Sequence, residues 1–116
     1  MWCRGIRGAI TVEANTREDI LAATQELLRR MIEANGVEAE EVASILFTTT
    51  PDLNAEFPAV AARRLGWSEV ALLCGHEMDV SGSLPKCLRI LMLVNTERRA
   101  GEIVHVYLKE AENLRS

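Results

Sequence analysis

An arginine lies inside an otherwise apolar run in the last third of the chain. The run extends from Cys87 to Val94, and Arg89 is its one charged residue. A run of this composition, followed by Asn95 and Thr96, predicts a strand that is buried on both faces. Arginine stays protonated at physiological pH and is almost never fully buried without a partner. Arg89 therefore needs either a carboxylate of the protein or an anion that comes from outside.

A second arginine favours the external anion. Arg7 belongs to another predicted strand and has small neighbours, in the sequence RGIRGA of residues 4–9. Two fixed guanidiniums that converge on one pocket suit a small dicarboxylate, because each planar fork grips a carboxylate through two parallel hydrogen bonds. A salt bridge inside the protein remains the alternative for Arg89.

Composition limits the class of protein. With 116 residues, 48% of them apolar and 26% charged, the chain is expected to form one domain over residues 1–116 with a single core. A net charge of −4 argues against nonspecific binding to nucleic acid, so an anion site must be a local positive pocket. No apolar run is long enough to span a membrane.

The cysteines and histidines do not predict a metal site. Cys3, Cys74 and Cys87 lack the close spacing of metal ligands, and His76 and His105 are far apart in sequence. An odd number of cysteines without a secretory leader favours free thiols and a cytoplasmic location.

Hydrophobic periodicity predicts five strands and two helices. The first helix begins after a hydroxyl cap at Thr16 and ends at Gly36, and the second begins near Pro58 and ends at Gly66. The predicted strands are Cys3–Val12, Val42–Thr49, Val70–Cys74, Cys87–Val94 and Ile103–Leu108.

The order β-α-β-α-β-β-β predicts an α+β fold, with a mixed five-stranded sheet and both helices on one face. Two helices cover only one face of such a sheet. The face that carries Arg7, Arg89 and Tyr107 is therefore expected to be covered by another copy of the chain, with pockets at the seams between subunits.

Five sequence blocks, in order along the whole chain, resemble the monofunctional bacterial chorismate mutases of the trimeric α/β type. They are RGIRGA at 4–9, TPDL at 50–53 with FPA at 57–59, EMDV at 77–80, KCLR at 86–89 and HVYL at 105–108. The resemblance implies a chorismate-mutase-like sheet related to ferredoxin-like folds, and a homotrimer whose sheets form a pseudo-barrel. It also implies rearrangement of chorismate to prephenate at each subunit interface, in aromatic amino acid biosynthesis and without a cofactor.

The resemblance assigns roles to residues by position. Arg89 matches the arginine that binds the ether oxygen and a carboxylate of the substrate, and Arg7 and Tyr107 match the pair that holds a carboxylate. Glu77 and Cys74 match the groups beside the ring hydroxyl. Taken singly, Glu77 could be a solvated acid or an internal counter-ion of the arginines, and Cys74 and Tyr107 could be core residues.

The neighbouring subunit is expected to complete the site. Phe57, Ala59 and Arg63 match the wall that it donates, and Leu114 matches a mobile tail that closes the mouth. The chain departs from many relatives in two ways. Val60 stands where they have a basic residue, and the chain ends earlier.

These residue types suit a pericyclic reaction, which needs neither a nucleophile nor a proton transfer. A fixed cation at the breaking C–O bond stabilises the negative charge that develops on the ether oxygen. Two other functions remain open. The chain could be a trimeric sensor of a small metabolite, or an imine or enamine hydrolase that anchors a carboxylate through arginine.

Overall fold

The computed structural model describes residues 1–114, and residues 115 and 116 of the predicted domain lie outside the described residues. Three short 3₁₀ helices, Ala39–Glu41, Ala100–Glu102 and Lys109–Asn113, supplement the regular elements. Those elements are β1 (Trp2–Thr11), α1 (Arg17–Asn35), β2 (Val42–Thr49), α2 (Ala59–Arg64), β3 (Ala71–His76), β4 (Cys87–Thr96) and β5 (Val106–Leu108).

The strands form one mixed five-stranded sheet in the order β3-β2-β4-β1-β5. The pairs β2–β3 and β1–β5 are parallel, whereas β4 runs antiparallel to both β1 and β2. The predicted order of helices and strands and the mixed α+β sheet are therefore confirmed. None of the helices within residues 1–114 has the length and apolarity required to cross a membrane.

Helix α1 begins and ends where local chemistry predicts. The hydroxyl of Thr16 accepts a hydrogen bond from the backbone N–H of Asp19 at 3.1 Å. Gly36 ends the helix in the left-handed conformation, with φ of 58°, which glycine adopts at little steric cost. The buried stripe of α1 packs on the sheet through Ile20, Leu27, Leu28 and Met31.

Both helices pack on the same face of the sheet. Ile6 of β1 and Leu88 of β4 are fully buried in this core. The close approach of α1 requires Gly8, because a Cβ atom there would lie 2.5 Å from the sulfur of Met31. The placement of both helices on one face is confirmed.

The opposite face of the sheet, called the open face below, is covered only in part within residues 1–114, by the 3₁₀ helix Lys109–Asn113. The side chain of Arg89 is 46% exposed, and Leu91, two residues later on β4, is 37% exposed. The prediction that β4 is buried on both faces is therefore wrong for the single chain. On the open face of β4 Cys87 is buried, whereas Arg89 and Leu91 are exposed.

Several strand boundaries differ from the prediction by one to three residues, and only β2 has both of its predicted ends. Strand β3 continues beyond Cys74 to His76, and β5 begins at Val106 instead of Ile103. The side-chain amide of Asn35 donates to the carbonyl of Val104 at 2.9 Å, and its oxygen accepts the N–H of Val104 at 2.8 Å. Because the side chain of Asn35 binds both the N–H and the carbonyl of Val104, residues 103–105 do not pair with β1. Ile103 packs on the helix side of the sheet.

Candidate active site

The open face contains a cavity of about 530 Å³, within the usual size range of small-molecule sites. It lies over the middle strands of the sheet, and residues from β1, β2, β4 and β5 line it. Its lining includes five of the predicted site residues, namely Arg7, Glu77, Arg89, Tyr107 and Leu114.

The strand register brings the two arginines to one face. Arg89 on β4 lies opposite Ala9 on β1, and on its other side it lies opposite Thr48 on β2. Arg7 is two residues before Ala9, so it is a diagonal neighbour of Arg89 across the antiparallel pair. Long side chains reach across such a diagonal. The small side chain of Ala9 leaves space between the two guanidiniums.

Glu77 is the acid that faces Arg89. Its Oε2 lies 4.0 Å from Nε of Arg89, which is at the outer limit of an ion pair and not a bidentate contact. The same oxygen accepts a short hydrogen bond from the hydroxyl of Thr48. Glu77 therefore neutralises the positive charge of Arg89 only in part. Among residues 1–114, the charged lining consists of Arg7, Arg89 and Glu77, so two positive charges and one negative charge give this part of the lining a net charge of +1.

Arg7 has a less restricted guanidinium than Arg89. Within residues 1–114, no carboxylate lies within 4.0 Å of it in an ion pair. Its backbone is held firmly, because the N–H of Arg7 donates to Nδ1 of His105 at 2.9 Å. The internal salt bridge considered for Arg89 is thus present, with Glu77, but only at the outer limit of an ion pair. The guanidiniums of Arg89 and Arg7 can therefore both bind an anion.

Tyr107 and Leu114 close one side of this cavity. Both are half-buried and pack against a small apolar cluster of Ala9, Cys87 and Ala111 on the open face. Leu114 follows the 3₁₀ helix Lys109–Asn113, which keeps it against the cavity wall. Burial raises the pKa of the Cys87 thiol, so this cysteine stays neutral beside Arg89.

The other predicted site residues lie around a second cavity, of about 330 Å³, at the β3 edge of the sheet. Phe57 and Cys74 line it, and the side chain of Phe57 is 68% exposed. Ala59 donates its backbone N–H to Cys74, and Arg63 is near enough to act electrostatically on the thiol. Burial, the largest influence, nevertheless raises the pKa of Cys74, so the thiol is protonated at neutral pH and can donate a hydrogen bond.

The two groups of predicted residues lie on opposite faces of the sheet. Cys74 pairs in register with Phe47, which is 1% exposed and lies in the core on the helix side. Thr48 and Arg89, by contrast, are on the open face. The structure therefore does not place Cys74 beside Glu77 within one chain, although the sequence prediction assigned both to the same substrate hydroxyl.

The loop that presents Phe57 is fastened to the first residue of α1 and to the segment before it. Both oxygens of Glu56 are used, because Oε2 accepts Nε of Arg17 at 2.7 Å and Oε1 accepts the N–H of Phe57 at 2.8 Å. These bonds, the Phe57 N–H foremost, lower the pKa of Glu56. Asn15 accepts the N–H of Asn54 at 3.0 Å. The exposed ring of Phe57 thus extends from an anchored loop.

Thr48 is the site residue that sequence analysis missed. It lies in the cavity lining and contacts Glu77, but it is one of three consecutive threonines at the end of β2. The alternation of buried and exposed residues in β2 indicates its face. Only the register with β4, which the sequence does not encode locally, places it opposite Arg89.

A hydrogen-bond network fixes the start of the strand that carries Arg89. The hydroxyl of Thr50 donates to Asp52 and accepts the N–H of Cys87 at 3.0 Å. Asp52 also accepts the N–H of Lys86 at 2.9 Å. Hydrogen bonding from Thr50, with help from Lys86, lowers the pKa of Asp52. The turn after β2 therefore holds β4 two residues before Arg89.

We expect Asp52→Asn to destabilise the protein modestly at neutral pH. A carboxyl whose pKa is lower in the folded state stabilises the fold above its ordinary pKa and loses that effect as the pH falls. Because Asp52 is exposed, the loss should be at most about 1 kcal/mol near neutral pH, and it should disappear in acid, as the pH falls through the lowered pKa of this carboxyl. Urea unfolding at both pH values measures it, with the exposed loop variant Asp79→Asn as control. A difference that persists in acid would contradict this role.

The described residues contain no group of three or more His, Cys, Asp or Glu that could hold a metal ion. The cavity on the open face instead offers two guanidiniums, one carboxylate, hydroxyls and apolar walls. Such a site can bind and fold an anionic molecule and can stabilise negative charge that develops within it.

Comparisons with known proteins agree with this chemistry. Residues 3–116 match the sequence model of the family described as chorismate mutase type I. Chorismate mutase AroH of Thermus thermophilus is 53% identical over 113 residues, which cover 97% of this chain and 93% of the relative. AroH of Bacillus subtilis strain 168 is 49% identical over 116 residues, with coverage of 99% and 91%. A solved chorismate mutase from Clostridium thermocellum superposes with a TM-score of 0.93 at 52% identity, over 97% of this chain and 98% of that one. The chain belongs to the type I chorismate mutase family.

Proposed function

We propose that the chain catalyses the intramolecular Claisen rearrangement of chorismate to prephenate, a step of aromatic amino acid biosynthesis. Membership of the family and the paired arginines of the open face support this function. The observation that carries the proposal is the position of Arg89, which projects into an open cavity and whose ion-pair contact within residues 1–114 is Glu77 at 4.0 Å.

The open face supplies the groups that bind the charged parts of the substrate. We assign Arg89 to the ether oxygen and one carboxylate, and Arg7 with Tyr107 to a carboxylate. Glu77 accepts the hydrogen of the ring hydroxyl, since its Oε1 accepts no hydrogen bond from residues 1–114. The net charge of +1 of the lining favours a dianionic substrate in a protein that is negative overall.

Stabilisation of the transition state follows from this arrangement. As the C–O bond breaks, negative charge grows on the ether oxygen, and the fixed guanidinium of Arg89 interacts with it more strongly than in the ground state. The remaining groups hold the enolpyruvyl arm over the ring and so restrict the rotors that free chorismate populates. The reaction passes through no covalent intermediate and needs no cofactor.

A neighbouring subunit completes the site in this proposal. Phe57, Ala59, Arg63 and Cys74 form a second half-site on the other face of the sheet, so one chain cannot bring them to its own Arg89. A homotrimer whose sheets surround a pseudo-barrel would place this half-site of one subunit against the open face of the next. The protonated thiol of Cys74 would then donate to the ring hydroxyl.

We also infer that residues 1–116 form one domain and that the protein works in the cytoplasm. All three cysteines are free, and Cys3 is exposed, as suits a reducing compartment. Leu114 is proposed to close the mouth of the site, in line with its place in the cavity wall.

The decisive assay follows the loss of chorismate absorbance with purified protein and without added metal or cofactor. We expect turnover far above the uncatalysed rate, and tighter binding of prephenate than of a monocarboxylate. Heat-inactivated protein is the control. If prephenate binds and no turnover occurs, the protein is a metabolite sensor and the proposed activity is wrong.

A further inference from the structure

Thr48 lies in the lining of the cavity on the open face. In the sheet it lies between Gly75 of β3 and Arg89 of β4, directly opposite each. Its side chain is half-buried. Thr48 is therefore a fixed part of the floor beneath Glu77 and Arg89.

The hydroxyl of Thr48 donates to Oε2 of Glu77, and that oxygen is also the one that faces Nε of Arg89 at 4.0 Å. Next to Thr48, the carbonyl of Thr49 accepts the backbone N–H of Glu77 at 2.8 Å. Glu77 is thus tied to the end of β2 through both its backbone and its carboxylate.

These two hydrogen bonds oppose the close, bidentate ion pair that a carboxylate and a guanidinium ordinarily form. Unrestrained, such a pair closes to about 2.8 Å and forms two parallel hydrogen bonds. In a close ion pair, Glu77 would occupy the hydrogen-bond donors of Arg89 and leave fewer of them for a ligand. A 4.0 Å separation, with the oxygen occupied by a hydroxyl, leaves donors of Arg89 available to a bound anion.

We propose that Thr48 is a positioning residue that holds the Glu77 carboxylate away from Arg89, and so keeps Arg89 free for the substrate. This inference rests on the proposed function, because it assigns Arg89 to the substrate's ether oxygen and carboxylate. Thr48 acts through Glu77 and does not itself touch the reacting atoms.

The test compares Thr48→Val, which removes the hydroxyl at nearly constant shape, with Thr48→Ser, which keeps it. We expect kcat/KM to fall roughly 10-fold or more in the valine variant, mainly through a higher KM, and to stay within about twofold in the serine variant. The melting temperature should change little in both. An equal loss in both variants, or no loss in either, would overturn the proposal.

A double-mutant cycle separates positioning from a general structural effect. In a Glu77→Ala background, Thr48→Val should change prephenate affinity and kcat/KM by less than about twofold, since the carboxylate it holds is gone. A loss of the same size as in the wild-type background would show that Thr48 does not act through Glu77.

Crystal structures of the wild type and of Thr48→Val give a readout that does not depend on activity. We expect the distance from Glu77 to Arg89 to close from 4.0 Å to about 2.8 Å in the variant. A separation that stays near its present value would refute the inference. Absence of turnover in the wild type, by contrast, would refute the proposed function and leave this distance to decide the role of Thr48.

Discussion

Replacement of Arg89 with lysine is expected to lower turnover roughly 100-fold or more, although the positive charge is kept. The planar guanidinium presents a rigid fork that can bond two acceptors at once, here the ether oxygen and a carboxylate. A lysine ammonium is a compact point charge on a flexible stem and does not reproduce both contacts. Arg89→Ala removes the charge as well, and we expect it to raise the barrier by about 3 kcal/mol or more.

The loss in Arg89→Lys should fall mainly on kcat, with a smaller change in KM. An interaction that strengthens as the bond breaks lowers kcat when it is removed, whereas an interaction equal in both states alters KM. Arg7 remains to hold a carboxylate in the variant, so ground-state binding should largely survive.

Steady-state kinetics over a range of chorismate concentrations measures this split. Arg30→Lys, at an exposed position on α1, serves as the matched control and should behave as the wild type. Because Arg89 is on the open face and outside the helix-side core, neither change should alter the fold. Near-normal turnover in Arg89→Lys would remove Arg89 from its assigned role.

Local signals explain why much of the fold can be predicted from the sequence. The ends of α1 follow from a hydroxyl cap at Thr16 and a left-handed Gly36, and both are decided within a few residues. Strand β2 has the predicted bounds, Val42–Thr49, because a turn follows directly at Pro51 and Asp52. The boundaries of such elements can be predicted without knowing which distant residues they contact.

The misplaced features depend on contacts between residues far apart in sequence. Strand β5 starts late because Asn35, nearly seventy residues earlier, binds Val104. The role of Thr48 depends on the register between β2 and β4, which sets it opposite Arg89. The side of the sheet on which Cys74 lies depends on the parallel register of β3 with β2, which sets Cys74 opposite Phe47.

The error about β4 is informative in itself. Its residues are apolar on both faces, as expected for a strand buried on both, yet Leu91 is 37% exposed in the single chain. An apolar open face that surrounds two arginines suits contact with another copy better than contact with water. The composition of β4 is therefore consistent with the proposed homotrimer, in which another copy would cover the open face.

Two inactive variants are expected to restore each other's activity when they assemble together. Arg89→Ala damages the half-site on the open face, and Arg63→Ala damages the half-site on the opposite face. If each site combines one half from each of two subunits, some sites in a mixed oligomer receive both wild-type halves. In a trimer that contains both variants, about one site in three should be intact, whichever variant is present twice.

Co-expression of the two variants with different affinity tags, and purification through both tags, isolates the mixed oligomers for assay. The matched control combines Arg89→Ala with Arg7→Ala, whose lesions lie in the same half-site. No mixture of these two contains an intact site, because every open face carries one lesion. The proposal fails if the mixed oligomers of Arg89→Ala and Arg63→Ala are no more active than this control. Each site would then lie within one chain, and its residues would not be divided between two subunits.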